Sequence, residues 1–198
     1  MFYIFQKGGP IMWPLFLTSV ISLAVILERL FFVVGARSRR DPKLVEAILT
    51  DVEKGDIRSA IETGAESRDY VAATLTYGLK NRDKSLSGAL MKAANSELKR
   101  FNQGLFVLDT VITLAPLLGL LATVTGMIHA FGLLGNKELE APTVITGGIA
   151  EALIGTAFGL GIAIVALIPF NYLNSKMEEA RHDIEDAATQ LELILKAR

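Results

Sequence analysis

The chain has 198 residues, 51% of them hydrophobic, with 20 Lys and Arg against 21 Asp and Glu. A formal net charge of −1 offers no basic field for nucleic acid, and the absence of cysteine excludes disulfides and thiolate metal sites. Only His129 and His182 supply imidazole, far apart in sequence, which argues against a histidine-based metal cluster.

The apolar residues are bunched rather than dispersed, and the mean hydropathy is +0.41. A helix needs about 20 mostly apolar residues to cross roughly 30 Å of hydrocarbon, and three stretches meet that length. The first runs from Ile11 to Val34. It is longer than the apolar stretch of a signal peptide and is followed by Glu28, Arg29 and the basic Arg37, Arg39 and Arg40, so it reads as a retained anchor. Arg29 is expected to snorkel toward the interface.

The segment from 36 to 107 is patterned as helices. Asp41-Pro42 is an N-cap followed by proline at N1, and Leu44, Val45, Ile48, Leu49 and Val52 form an apolar stripe that Gly55 ends. Asp56 caps a second short helix, expected to stop at Gly64. Ser67 to Leu79 and Leu86 to Phe106 read as two more. The last shows no breaker and is expected to continue into the second span, Leu108 to Leu134, where Pro116 removes a backbone donor and His129 lies near the outer end. The third span runs from Ile145 to Leu173, and an amphipathic helical pattern with Met177, Ile184, Leu191 and Ile194 follows from 174 to 198. Nothing alternates as a strand does. The fold class is all-α, an integral membrane protein of three transmembrane helices with long cytoplasmic helical extensions, read as one domain over 1–198.

Basic residues set the orientation. Arg37, Arg39, Arg40, Lys99, Arg100, Lys176 and Arg181 flank the spans on one side, while the loop near Asn136 holds Lys137 with Glu138 and Glu140. The positive-inside rule then places 36–107 and the C-terminus in the cytoplasm, with the N-terminus and the loop from Gly135 to Thr143 outside.

Glu151 is the residue of most chemical interest. A carboxylate in an apolar span costs about 3 kcal/mol on insertion scales and usually marks a bundle interior, a water path or a proton relay. The alternative is a headgroup-level position where it is merely solvated. At 100° per residue, Gly148, Glu151, Ala152, Gly155, Thr156, Gly159 and Ala163 share one arc of the third span. On the second span Ala115, Pro116, Gly119, Ala122, Thr123, Gly126 and Ala130 share another. Small faces let membrane helices approach closely, which is the expected role of Gly119, Gly126, Gly148, Gly155 and Gly159. For Thr123 and Thr156 two readings stand side by side: a hydroxyl bonded to its own helix, or part of a narrow hydrated path for a cation with Glu151. No phosphate-binding loop, nucleophile elbow or paired-histidine motif occurs, so neither an enzyme nor a cofactor is expected.

The strings LAPLLGLLATVTGMIHAF (114–131) and GGIAEALIGTAFGLGIAIVALIPFN (147–171) resemble the MotA/TolQ/ExbB proton-channel family, and VILERL (25–30) is similar to that family's first-span ending. The resemblance is closest to the ExbB and TolQ groups. It implies a homopentameric ring in a bacterial inner membrane around a dimer of a single-span partner of ExbD or TolR kind. That partner's membrane aspartate would carry the proton. The implied work is to use proton-motive force to energise outer-membrane transport through TonB, or envelope maintenance through TolA. The family's polar channel positions fall on Thr123, Glu151 and Thr156. Ala122 stands where the family often has glycine and Gly155 where alanine is common. Val165 replaces a frequent proline, and Pro169 follows it. Three spans argue against a flagellar stator of MotA type. A non-conducting membrane scaffold is the competing class, and Glu151 separates the two.

Overall fold

The computed structural model describes residue 5, residues 8–132 and residues 141–197. The chain runs through α1 (Met12–Ser38), α2 (Pro42–Lys54), α3 (Ile57–Ala65), α4 (Tyr70–Lys80), α5 (Arg82–Asn102), α6 (Leu105–Gly132) and α7 (Ala141–Lys196), with no strand among the described residues. Of these, α1, α6 and α7 are long and apolar enough to cross a membrane. The architecture is therefore all-helical with three candidate membrane-spanning helices. Lys7, the second span beyond Gly132 and the loop around Asn136 lie outside the described residues.

Contacts divide the chain into two units. The first joins residues up to Glu28 with Gly104–Tyr172. Its core is small: Met12, Leu15, Ala115 and Ala163 are buried, with Leu118, Ile154 and Ile162 packed against them. Its bulky residues point outward, among them Trp13, Leu17, Leu117, Leu120, Ile128, Leu153 and Ile164. So many large apolar side chains facing outward runs against the rule for a water-soluble domain. It suits lipid, where chains as apolar as leucine surround the helix and close backbone approach favours packing.

The second unit joins Arg29–Gln103 with the chain from Leu173 onward. Here the usual rule holds: Ile48, Val52, Val71, Leu75, Leu79, Leu90, Ile184 and Leu191 form a buried core. The short helices are fixed at their ends. Asp41 accepts from the Leu44 amide at 3.1 Å with Pro42 at N1, Gly55 closes α2 at φ 89°, and Asp56 accepts from the Ser59 amide at 2.9 Å.

Several expectations give way here. Gly64 does not stop α3, which runs on to Ala65; Thr76 Oγ1 occupies the place a Cβ on Gly64 would take, so the glycine serves packing against α4. The next helix begins at Tyr70 rather than Ser67, because Asp69 caps it. Ser85 interrupts α5 at φ −171°, ψ 108°, and its Oγ accepts from the Gly88 amide at 3.2 Å, so regular helix starts at Leu86. The continuous helix expected from Leu86 into the second span is absent. α5 ends at Asn102, and Gly104 takes the left-handed conformation at φ 76° before α6 begins at Leu105. Arg29 does not snorkel. It is buried, stacks over Phe32 at 4.9 Å, and donates from Nη1 to the Arg100 carbonyl at 3.0 Å, in the last turn of α5 where carbonyls lack helical partners.

Candidate functional site

The site grows out of the meeting of α6 and α7. On α6, Ala115, Gly119, Ala122, Gly126 and Ala130 recur every three or four residues and are buried; on α7, Ala152, Gly155, Gly159 and Ala163 do the same. A Cβ on Gly159 would run into the Ala115 carbonyl oxygen and stand 3.1 Å from Gly119 Cα. One on Gly119 would meet Thr156 Cα at 3.0 Å, and one on Gly155 would strike Ala122. Further along, a Cβ on Gly126 would stand 3.1 Å from the Gly148 carbonyl oxygen, and one on Gly148 would stand 2.6 Å from Ala130 Cβ. Positions rising along α6 pair with positions falling along α7, so the helices are antiparallel and touch backbone to backbone. Such proximity puts Cα–H groups against carbonyl oxygens, a weak attraction repeated along the seam.

Thr156 reaches across this seam. Thr156 Oγ1 lies 2.9 Å from the Gly119 carbonyl on α6 and 3.2 Å from the Ala152 carbonyl in its own helix, so its single proton is shared between two acceptors. Thr123, half-buried, donates to the Leu120 carbonyl at 2.6 Å and borders a shallow groove with Val124, Met127 and Phe131. Glu151 is half-buried on α7, and its Oε1 sits where a Cβ on Gly9 would be. Gly9 adopts φ 72°, a conformation open to glycine, and the missing side chain makes room for the carboxylate. No hydrogen bond among the described residues joins Thr123, Glu151 and Thr156 to one another. The sequence reading did not foresee Gly9: the Gly8-Gly9-Pro10 string signals a tight turn and says nothing about where that turn packs.

A second polar cluster, unforeseen as well, lies in the other unit. The Asp69 carboxylate is fully buried and accepts from Arg40 Nη1 at 2.7 Å and from the Asp41, Val71 and Ala72 amides at 2.6, 2.7 and 3.3 Å. Arg40 Nε also reaches Asp183 at 3.1 Å, and the Tyr70 hydroxyl donates to Asp183 at 2.7 Å. Burial alone would lower the Arg40 pKa, but hydrogen bonds and charge from Asp69 and Asp183 outweigh it and raise it. Burial raises the Tyr70 phenol, and the Asp183 carboxylate it serves raises it further. Asp69 is a local cap through the Val71 and Ala72 amides, but Arg40, Asp41 and Asp183 come from distant positions, so no local spacing announces the cluster. With both Asp69 oxygens occupied by structural donors, the cluster acts as a staple.

Residues 55–186 match the description of the MotA/TolQ/ExbB proton channel family. The chain belongs to that family. Both strings that carry the resemblance, 114–131 and 147–171, fall inside the matched region. The chain is 36% identical over 200 residues to an ExbB-like biopolymer transport protein of Synechocystis sp., covering 97% of this chain and 78% of that protein. Similarity to the biopolymer transport protein exbB1 of Vibrio cholerae is 27% over 210 residues, 96% and 86% of the two chains. To the Tol-Pal system protein TolQ of Haemophilus influenzae it is 33% over 112 residues, 57% and 49% of the two. The family consists of membrane channel subunits and is not a known enzyme family. With three apolar helices, the chain is a multi-pass membrane protein of this proton-channel type.

Proposed function

We propose that the chain is the ring-forming channel subunit of an inner-membrane motor that uses proton-motive force to energise outer-membrane transport. In this reading it resembles ExbB, works with an ExbD-like single-span partner and a TonB-like protein, and assembles as a pentamer. Glu151 is the observation that carries the reading. Packing accounts for the glycines of α6 and α7 and for the bond from Thr156 to the Gly119 carbonyl. It gives no reason to keep an ionisable group on an apolar helix at a cost of about 3 kcal/mol. Proton loading does.

Thr123 and Thr156 complete the proposed ion path. Each hydroxyl spends its proton on a carbonyl, and its oxygen keeps lone-pair capacity for a water or hydrated cation. Similarity over nearly the whole chain to ExbB-like proteins of Synechocystis and Vibrio cholerae supports the transport reading, and the TolQ similarity keeps envelope maintenance as the second reading. The basic clusters favour a cytoplasmic placement for 36–107 and 174–198. Cysteines introduced singly into this cysteine-free chain test that orientation: an impermeant thiol reagent should label position 136 and spare position 67 in spheroplasts, and the reverse pattern would overturn it.

The functional test pairs assembly with activity. Glu151→Gln keeps shape and hydrogen-bonding capacity while removing the loading group. Thr156→Val removes the hydroxyl, and Thr156→Ser restores it. Size-exclusion chromatography should show intact complexes, while activity driven by proton-motive force in a deletion strain falls for Glu151→Gln and Thr156→Val and returns with Thr156→Ser. Full activity in Glu151→Gln would sink the ion path. Loss of assembly together with activity would favour a scaffold.

A further inference from the structure

A cavity of about 140 Å³ opens on the second unit, bounded by α1, the loop before α4, and α5. Phe31 and Gly35 stand one turn apart on α1, and Arg39 lies in the turn that follows Ser38. Gly35 leaves the floor open, with no atom within 4 Å of where its Cβ would be. Arg68 and Arg100 join Arg39 at the rim, and one carboxylate, Glu97, pairs with Arg100 at 2.7 Å. Arg39 and Arg68 form no ion pair among the described residues, so the rim carries two uncompensated cations.

Position along α1 narrows the ligand. Phe31 is 77% exposed and belongs to the last apolar turns of a membrane-length helix. Seven helical steps at 1.5 Å each put Ser38 roughly 10 Å further along the axis, and Arg39 follows it in the turn. A headgroup region is about 5–8 Å thick on each side of the hydrocarbon, so this face reaches from acyl chains through the headgroups. Guanidinium forks match phosphate oxygens. The volume is well below the ~300 Å³ at which pockets begin to take drug-sized molecules, which fits a phosphate group and not a nucleotide.

We propose that this cavity binds the phosphate of an anionic phospholipid, whose acyl chain lies along Phe31. Inorganic phosphate has the same charge chemistry; the exposed ring beneath the arginines favours the lipid. The proposal needs α1 to cross the membrane and is independent of the ion path and of which side the unit faces.

The test uses the purified full chain in mild detergent, with thermal unfolding followed as phosphatidylglycerol, phosphatidylcholine or inorganic phosphate is titrated in. Phosphatidylglycerol should raise the unfolding midpoint saturably, with the other two far weaker. A basic residue near an anionic lipid contributes about fivefold in affinity, so Arg39→Gln with Arg68→Gln should weaken the apparent affinity roughly 20- to 30-fold. Gly35→Leu fills the notch with every charge kept and should abolish the response. Equal effects of the two lipids, or an undiminished phosphatidylglycerol response in both variants, would overturn the site. A response reproduced by inorganic phosphate would overturn the lipid.

Discussion

The two units hold their helices together by opposite means. In the first, α6 and α7 meet where side chains are missing, and carbonyl oxygens rest against neighbouring Cα atoms. In the second, Leu75, Leu79, Leu90 and Leu191 fill a core, and the helix ends are tied by Asp41, Asp56 and Asp69. The difference is the one expected between helices packed in lipid and helices packed in water. Where it surrounds a helix, burying large apolar groups stabilises and loose amides need capping. Where lipid replaces it, burial of leucine gains little and backbone proximity decides.

The sharpest break in that comparison comes from the second unit. Asp69→Ala removes the buried partner of Arg40 and the cap of α4 together, and should cost ~3–5 kcal/mol, the range for breaking a buried pair. Hydrogen exchange in detergent would show α4 losing protection while α6 keeps its own. Equal loss in both helices would mean that the units do not answer separately to their own contacts.

The seam should fail through the smallest of additions. Gly159→Ala sets a methyl against the Ala115 carbonyl, and overpacking of this kind costs about 1–3 kcal/mol. Gly161→Ala meets open space and is the matched control. Unfolding in detergent should separate the two variants, and identical midpoints would refute the backbone-contact account.

A smaller effect distinguishes the polar unit by pH. The folded chain holds the Tyr70 proton above the phenol's ordinary pKa of 10.0, first through burial and then through Asp183. A group whose pKa is raised on folding stabilises fully below the unfolded value, and that contribution fades as pH climbs past it. Stability should therefore slope downward above about pH 10. Tyr70→Phe should lose the hydrogen bond, about 1 kcal/mol, and flatten its share of that slope. An unchanged slope would show that the phenol is not held.

What could be read from the sequence divides along the same line. Local signals were legible: Asp41-Pro42, Gly55 and Asp56 mark helix ends within a few residues of themselves, and the apolar runs announce the long helices. Gly104 was overlooked because a two-residue break hardly disturbs the helical pattern on either side. Gly64 misled because a glycine that ends a helix and one that admits Thr76 look alike in a string. Arg29, read as an interfacial cation, serves a carbonyl of Arg100 that only folding brings near. At the candidate site, the sequence carried Glu151 and the two threonines as polar groups in apolar spans. It carried nothing of Gly9, whose relation to Glu151 depends on how a terminal turn lies against a helix far along the chain.

The glycine seam has a thermal consequence. Glycine and alanine have no rotamers to lose, so docking α6 on α7 requires almost no ordering of side chains. Little apolar surface leaves water there, and the heat-capacity change that bends the stability curve of a soluble core should be correspondingly slight. The contact is held by dispersion between closely fitted surfaces, which alters slowly with temperature and abruptly with shape.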